Sequence, residues 1–231
     1  MNSLKSNSST TAILLFAKSE EIESIAKPIT PSTKKNVLLW KKMNDRILKT
    51  IQKTKLPYFI SNETNQVGTT FGEKITHSIQ EVFDKGFEKV IVVGNDCIAL
   101  KAKHLSNTEQ NLQTNSCVLV ADYNGGVYLI GITKLGFNDK DFESIPWQTK
   151  NVFSDLQSLY QKQAVVYLPI LDDCNSTSDF KKILHQLPYY SSLKKILLSF
   201  LFVPKHQNKF ESNSIVSQYY AASFNKGSPI L

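Results

Sequence analysis

Asp96 follows Lys89-Val-Ile-Val-Val93, the most β-branched run of the chain. A carboxylate there has two chemical uses: it can cap the next helix, or it can ligate a hard cation through oxygen. Asn124-Gly125-Gly126 separates two apolar runs. Asn-Gly and Gly-Gly are hairpin signals, and paired glycines also let backbone approach a sugar or phosphate closely. Asp172 and Asp173 end a later apolar stretch, either as solvated loop acids or as carboxylates at the same sheet edge. Trp147, after Pro146, either fills core or closes a pocket.

Other chemistries find no support. Neither a G-x-x-x-x-G-K-[ST] loop nor a G-x-G-x-x-G fingerprint occurs. His77, His104, His185 and His206 lack ligand spacing, and Cys97, Cys117 and Cys174 stand apart without a CxxC pair. Cys97 has no basic partner in the sequence and reads as a small buried hydrophobe. Lys and Arg number 27 against 20 Asp and Glu, a formal charge of +7. The lysines form scattered pairs such as Lys34-Lys35 and Lys194-Lys195 within amphipathic stretches, as solvated helix faces do. No nucleic-acid partner is therefore expected. The richest apolar stretch, Ile196 to Val203, is too short for a membrane span, and Ala12 to Ala17 is too short for a signal-peptide core. The expectation is a cytoplasmic protein with no integral membrane segment.

These residues need a scaffold, and the periodicities alternate strand and helix. Strands are predicted over Ala12–Ala17, Tyr58–Ile60, Lys89–Val93, Cys117–Ala121, Val127–Ile132 and Ala164–Leu168. Helices are predicted over Thr33–Thr54, Phe71–Lys85 (with Gly86 as C-cap), Lys150–Lys162, Ser176–Leu187 and Ser191–Val203. Ser176 with Asp179 makes an N-terminal cap pair. The architecture expected is a single three-layer α/β/α domain with a mostly parallel mixed sheet and a late hairpin. Its central neighbours would be Ala12–Ala17, Lys89–Val93 and Cys117–Ala121, whose continuous apolar runs suit strands covered on both faces. The domain would span 12–204, after a flexible segment at 1–11 and before a polar tail at 205–231. Ligands of open α/β sheets gather beyond the carboxyl strand ends, so Asp96, Asn124 and Asp173 should share one cleft.

Motifs in order carry a resemblance. Phe16-Ala-Lys18 follows the first strand, then come Gln66-x-Gly68-x-x-x-Gly72-Glu73-Lys74 and Val93-Gly94-Asn95-Asp96-Cys97. Asn124-Gly125-Gly126-x-Tyr128-Leu129-Ile130-Gly131, Ile145-Pro146-Trp147-x-Thr149 and Leu168-Pro169-x-Leu171-x-Asp173 complete the series. Together, over about residues 12 to 180, they resemble bacterial glycosyltransferase-like proteins of the selenodomain-associated transferase type. These belong to the nucleotide-diphospho-sugar transferase superfamily, with the GT-A fold. The resemblance implies a nucleotide sugar or nucleotide as ligand and transfer of the sugar; the alternatives are a catalytically degenerate binding protein and a nucleotidyltransferase acting on a phosphorylated small molecule. It implies Asp96 and Asp173 as catalytic residues, with Asp96 holding Mg²⁺ or Mn²⁺. Lys18 and Lys27 would lie near phosphate, Asn124, Gly125 and Gly126 near sugar or acceptor, and Trp147 on the acceptor side. Where the family has a Pro/Gly-containing loop, this chain has Ser19-Glu-Glu-Ile-Glu-Ser-Ile-Ala-Lys27. Glu20, Glu21 and Glu23 would oppose a diphosphate there, and Lys27 would compensate.

Overall fold

The computed structural model describes residues 10–202. The polar tail expected over 205–231, Val203 at the end of the last predicted helix, and all but the last two residues of the segment at 1–11 lie outside them. In chain order the elements are β1 (Thr11–Phe16), α1 (Glu20–Ala26), α2 (Thr33–Gln52), β2 (Tyr58–Ser61), α3 (Phe71–Asp84), β3 (Lys89–Val93), α4 (Ala102–Asn111) and β4 (Cys117–Ala121). There follow β5 (Val127–Thr133), α5 (Asp139–Glu143), α6 (Val152–Tyr160), β6 (Val165–Tyr167), α7 (Thr177–Ile183) and α8 (Ser192–Leu201).

The strands form one six-stranded sheet in the order β2-β1-β3-β5-β4-β6, parallel throughout except for β5. Alternate residues of the apolar strands enter two cores. Leu14, Val90, Val92, Leu119 and Ile130 meet Ile75, Ile79 and Phe83 of α3 with Phe142 and Leu156 of the helices after β5. Ile13, Leu15, Ile91, Val93, Val118 and Val120 meet Ile47 and Ile51 of α2 and Leu105 of α4 on the opposite face. A third cluster joins Leu39, Trp40 and Met43 of α2 to Phe180, Leu193 and Leu197. The result is the expected α/β/α sandwich.

Two expectations are corrected. Cys117–Ala121 is not the neighbour of Lys89–Val93, because β5 lies between them, pairing Val93 with Leu129 and Lys89 with Thr133. Both hairpin strands are almost wholly apolar, so nothing in their composition tells which lies innermost. The acidic stretch after β1 is a helix rather than a loop. The Ser19 hydroxyl accepts from the Ile22 N–H at 3.4 Å, and Glu20, Glu21 and Glu23 occupy the first turn, where the helix dipole favours acids. Helices α4 and α5 also escape the periodicity argument, since α4 buries only Leu105 and Thr108 and α5 only Phe142.

Local caps fix the helix starts. Thr70 and Glu73 form a capping box at α3, in which the Glu73 carboxylate takes the Thr69 and Thr70 N–H groups and has its pKa lowered to about 2, chiefly by the Thr69 hydroxyl. Gly68 turns the chain into it at φ +121°, and a Cβ there would lie 2.6 Å from that of Glu73. Ser176 and Asp179 close a second box at α7. Because β1, β2, β3, β4 and β6 run parallel, the loops that follow them all open at one edge.

Candidate functional site

That edge holds a cleft of about 640 Å³. Lys18, Glu23 and Lys27 reach it from beyond β1, Gln66, Thr69 and Lys74 from beyond β2, Asp96 from beyond β3, and Asp122 from beyond β4. Gly126, Trp147 and Asp173 complete the wall.

Lys27 caps the carboxyl end of α1, its N–H donating to the Glu23 carbonyl at 2.8 Å. The indole N–H of Trp40 donates to the Lys27 carbonyl at 3.2 Å, and the ammonium lies 5.6 Å from the centre of that indole. Held by its backbone and over a ring, the ammonium donates to Asp96 Oδ2 at 2.9 Å. Burial alone would lower the Lys27 pKa, but the Asp96 and Glu23 carboxylates outweigh it and raise the pKa above the ordinary lysine value. Glu23, only 6% exposed, is pushed upward by burial; Lys27 opposes that shift and Asp96 adds to it. Asp96 is not the cap of the next helix, since Lys101 holds the N-cap position of α4.

The loop after β6 is tied to the loop after β3 by the Cys174 N–H, which donates to the Asp96 carbonyl at 3.0 Å. Asp173 thereby faces the same space. Its Oδ1 accepts from Asn124 Nδ2 at 3.1 Å and its Oδ2 from Asn175 Nδ2. Burial, reinforced by the Asp122 and Asp96 charges, raises the Asp173 pKa to about 6. Asp122 shapes the hairpin turn, its Oδ1 accepting the Asn124 and Gly126 N–H groups at 2.6 and 2.9 Å.

Asp96 and Asp173 line the same cleft, whereas Asn124 does not, and not every other candidate faces it. Gly125 is turned away from it: its φ is +86°, its carbonyl accepts the Phe153 N–H at 3.1 Å, and a Cβ would collide with the Lys150 carbonyl. Its glycine serves the packing of the hairpin against the start of α6 rather than contact with a ligand. Asn124 lies on the rim and reaches the site through Asp173. Gly126 and Lys18 do line the cleft. Trp147 does both things foreseen for it. It packs between Phe71 and Phe142, with centroids 5.5 and 4.9 Å away, and forms part of the wall. Gly72 makes that seat possible, since a Cβ there would lie 2.9 Å from the Trp147 ring. Burial pushes the Cys97 thiol up to about 12, so it is no nucleophile.

Sequence reasoning missed Lys74 and the inward turn of Glu23. Lys74 lies in the quoted Gly68–Lys74 motif, whose capping box fixes which face of α3 looks into the cleft. Glu23 needed the helical geometry of α1, which places it, and neither Glu20 nor Glu21, on the cleft wall.

A divalent ion at Asp96 does not fit the donor set. One carboxylate oxygen is engaged by an ammonium, and among the described residues no three His, Cys, Asp or Glu side chains form a metal-binding group. Among the described residues no helix is long and apolar enough to cross a membrane.

Comparison with known proteins agrees with the architecture. A family described as an uncharacterized protein conserved in bacteria (DUF2064) matches residues 43–149. No curated protein sequence matches the chain. The crystal structure of a candidate nucleotide-diphospho-sugar transferase from Desulfovibrio desulfuricans G20 is similar at a TM-score of 0.75 and 20% identity, covering 82% of this chain and 94% of that one. Weaker likenesses include the manganese complex of Rv0371c from Mycobacterium tuberculosis H37Rv (TM-score 0.47, 7% identity, covering 78% and 100%). Another is molybdopterin-guanine dinucleotide biosynthesis protein A from Archaeoglobus fulgidus (TM-score 0.40, 14% identity, covering 77% and 99%). The chain shares its fold with that candidate transferase from Desulfovibrio desulfuricans G20.

Proposed function

We propose that the chain binds a nucleotide sugar in this cleft and transfers the sugar to an acceptor hydroxyl. The observation that carries the reading is the facing of Lys27 and Asp173 across one cleft at the carboxyl edge of a GT-A-type sheet. Lysines 18, 27 and 74 give the diphosphate its countercharges. Asp173, with a pKa near 6, takes the proton of the acceptor hydroxyl as its oxygen bonds to the anomeric carbon. The bond from that carbon to the diphosphate breaks, and the nucleoside diphosphate leaves. Gly126 admits the Asp122 carboxylate, which a Cβ there would strike, and Trp147 offers the acceptor a flat apolar wall. The test is release of nucleoside diphosphate from a panel of nucleotide sugars, with simple alcohols, sugars and sugar phosphates as acceptors. Release that depends on the acceptor supports transfer.

A catalytically silent nucleotide-binding protein is the second reading, favoured by the buried Glu23 beside Lys27. Glu23 also yields a prediction. At an effective dielectric near 20, a like charge about 6 Å away opposes binding by on the order of 2–3 kcal/mol, less where water screens it. Glu23→Gln should therefore tighten nucleoside diphosphate binding about three- to tenfold by calorimetry. Glu21→Gln, on the exposed face of α1, should leave it unchanged.

A further inference from the structure

We infer that Lys27 supplies, as a side-chain ammonium, the countercharge at Asp96 that the family resemblance assigns to a divalent cation, so that a nucleoside diphosphate binds this cleft without metal. The inference rests on the nucleotide reading above and names how that site meets the phosphates. The Lys27 and Asp96 side chains are 27% and 21% exposed and meet at 2.9 Å, so the pair is sheltered at the cleft wall. Both partners are held from behind. Lys27 is fixed by the Trp40 hydrogen bond to its carbonyl and by the indole under its ammonium. Asp96 is fixed by Cys174, whose N–H donates to its carbonyl, and its Oδ1 lies close over Gly94, 3.1 Å from where a Cβ would stand. The neighbouring Asn95, buried, donates to Asn44 of α2 at 2.8 Å and anchors the same turn.

An ion on Asp96 would have to displace this ammonium or sit within a few ångströms of it, against like-charge repulsion. An ammonium has three donors. One is spent on Asp96 Oδ2, and the others remain to meet phosphate oxygens on the cleft side. The carboxylate then serves as the anchor of a lysine rather than as a metal ligand.

The test uses the full chain and calorimetry with uridine, guanosine, adenosine, cytidine and thymidine diphosphates, each in EDTA and in Mn²⁺. For the wild type the best nucleoside diphosphate should bind equally, within about twofold, in both conditions. Lys27→Met, which keeps the aliphatic stem, should bind about tenfold or more weakly in EDTA and regain affinity in Mn²⁺, as the freed carboxylate accepts the ion. Lys27→Arg should keep metal-free binding, and the melting temperatures of both variants control for folding. Wild-type binding that requires Mn²⁺, or a Lys27→Met protein that binds as the wild type does in EDTA, overturns the inference while leaving the nucleotide reading intact. Absence of binding to every diphosphate in both conditions removes the nucleotide reading and this inference with it.

Discussion

Asp173→Asn should reduce sugar transfer by about 10²–10⁴-fold, the range a positioned general base contributes. Asparagine keeps the shape of the group and can still meet Asn124 through its carbonyl, but it cannot take a proton. The loss should therefore fall on kcat, with affinity for the nucleotide sugar little changed. Wild-type kcat should rise with pH through about 6, where Asp173 ionises, and the residual rate of the variant should lack that limb. Stability moves the opposite way. The folded pKa of Asp173 is raised, so the fold favours the protonated acid. The stability this contributes is full below the ordinary aspartate value of 3.8 and is lost as pH rises through about 6. The variant should accordingly melt no lower than the wild type at pH 7, which separates lost chemistry from lost structure. Steady-state rates between pH 5 and 8 with parallel melting curves give both readouts.

Trp40→Ala should lower the unfolding free energy by about 3–5 kcal/mol, the usual cost of truncating a large buried aromatic. Trp40 is fully buried in the cluster shared by α2, α7 and α8, edge-on to Phe180 with ring centres 6.1 Å apart. Its N–H is also the donor to the Lys27 carbonyl, so the same change frees the end of α1 and the ammonium it presents. Trp40→Phe fills most of the volume without that donor and should cost less, about 1–3 kcal/mol, since it leaves a part-buried carbonyl unpaired. Nucleotide affinity should nonetheless fall in the phenylalanine protein, because Lys27 loses its fixed seat. Urea denaturation measures the first effect and calorimetry the second.

What was legible in the sequence followed from local physics. Lys89–Val93 is β-branched and ends on Gly94, so both the strand and the edge placement of Asp96 were readable. Ser176 with Asp179 is a cap pair whose spacing is its geometry. The hairpin across Asp122–Gly126 was written in its glycines. Partner choice was not legible: β4 and β5 are both apolar, and only the assembled sheet places β5 beside β3. Nor was α1 visible, because a seven-residue helix that exposes Ile22 and Ile25 carries no amphipathic stripe. Its formation changes the chemistry of the site, since it turns Glu23 and Lys27 inward together. The Lys27–Asp96 pair joins residues 69 positions apart and is a property of the fold alone.

If this cleft takes a nucleoside diphosphate, thermal unfolding of the full chain against a ligand panel will register it. A ligand at a hundred times its dissociation constant stabilises by about 2.7 kcal/mol. For a chain of this size that corresponds to a rise of about 5–10 °C in Tm. Such a rise is expected with at least one nucleoside diphosphate or its sugar ester, a smaller rise with the matching monophosphate, and none with the nucleoside or the free sugar. A panel of diphosphates and nucleotide sugars that leaves Tm unmoved, or a nucleoside that raises it as much as its diphosphate does, would contradict it.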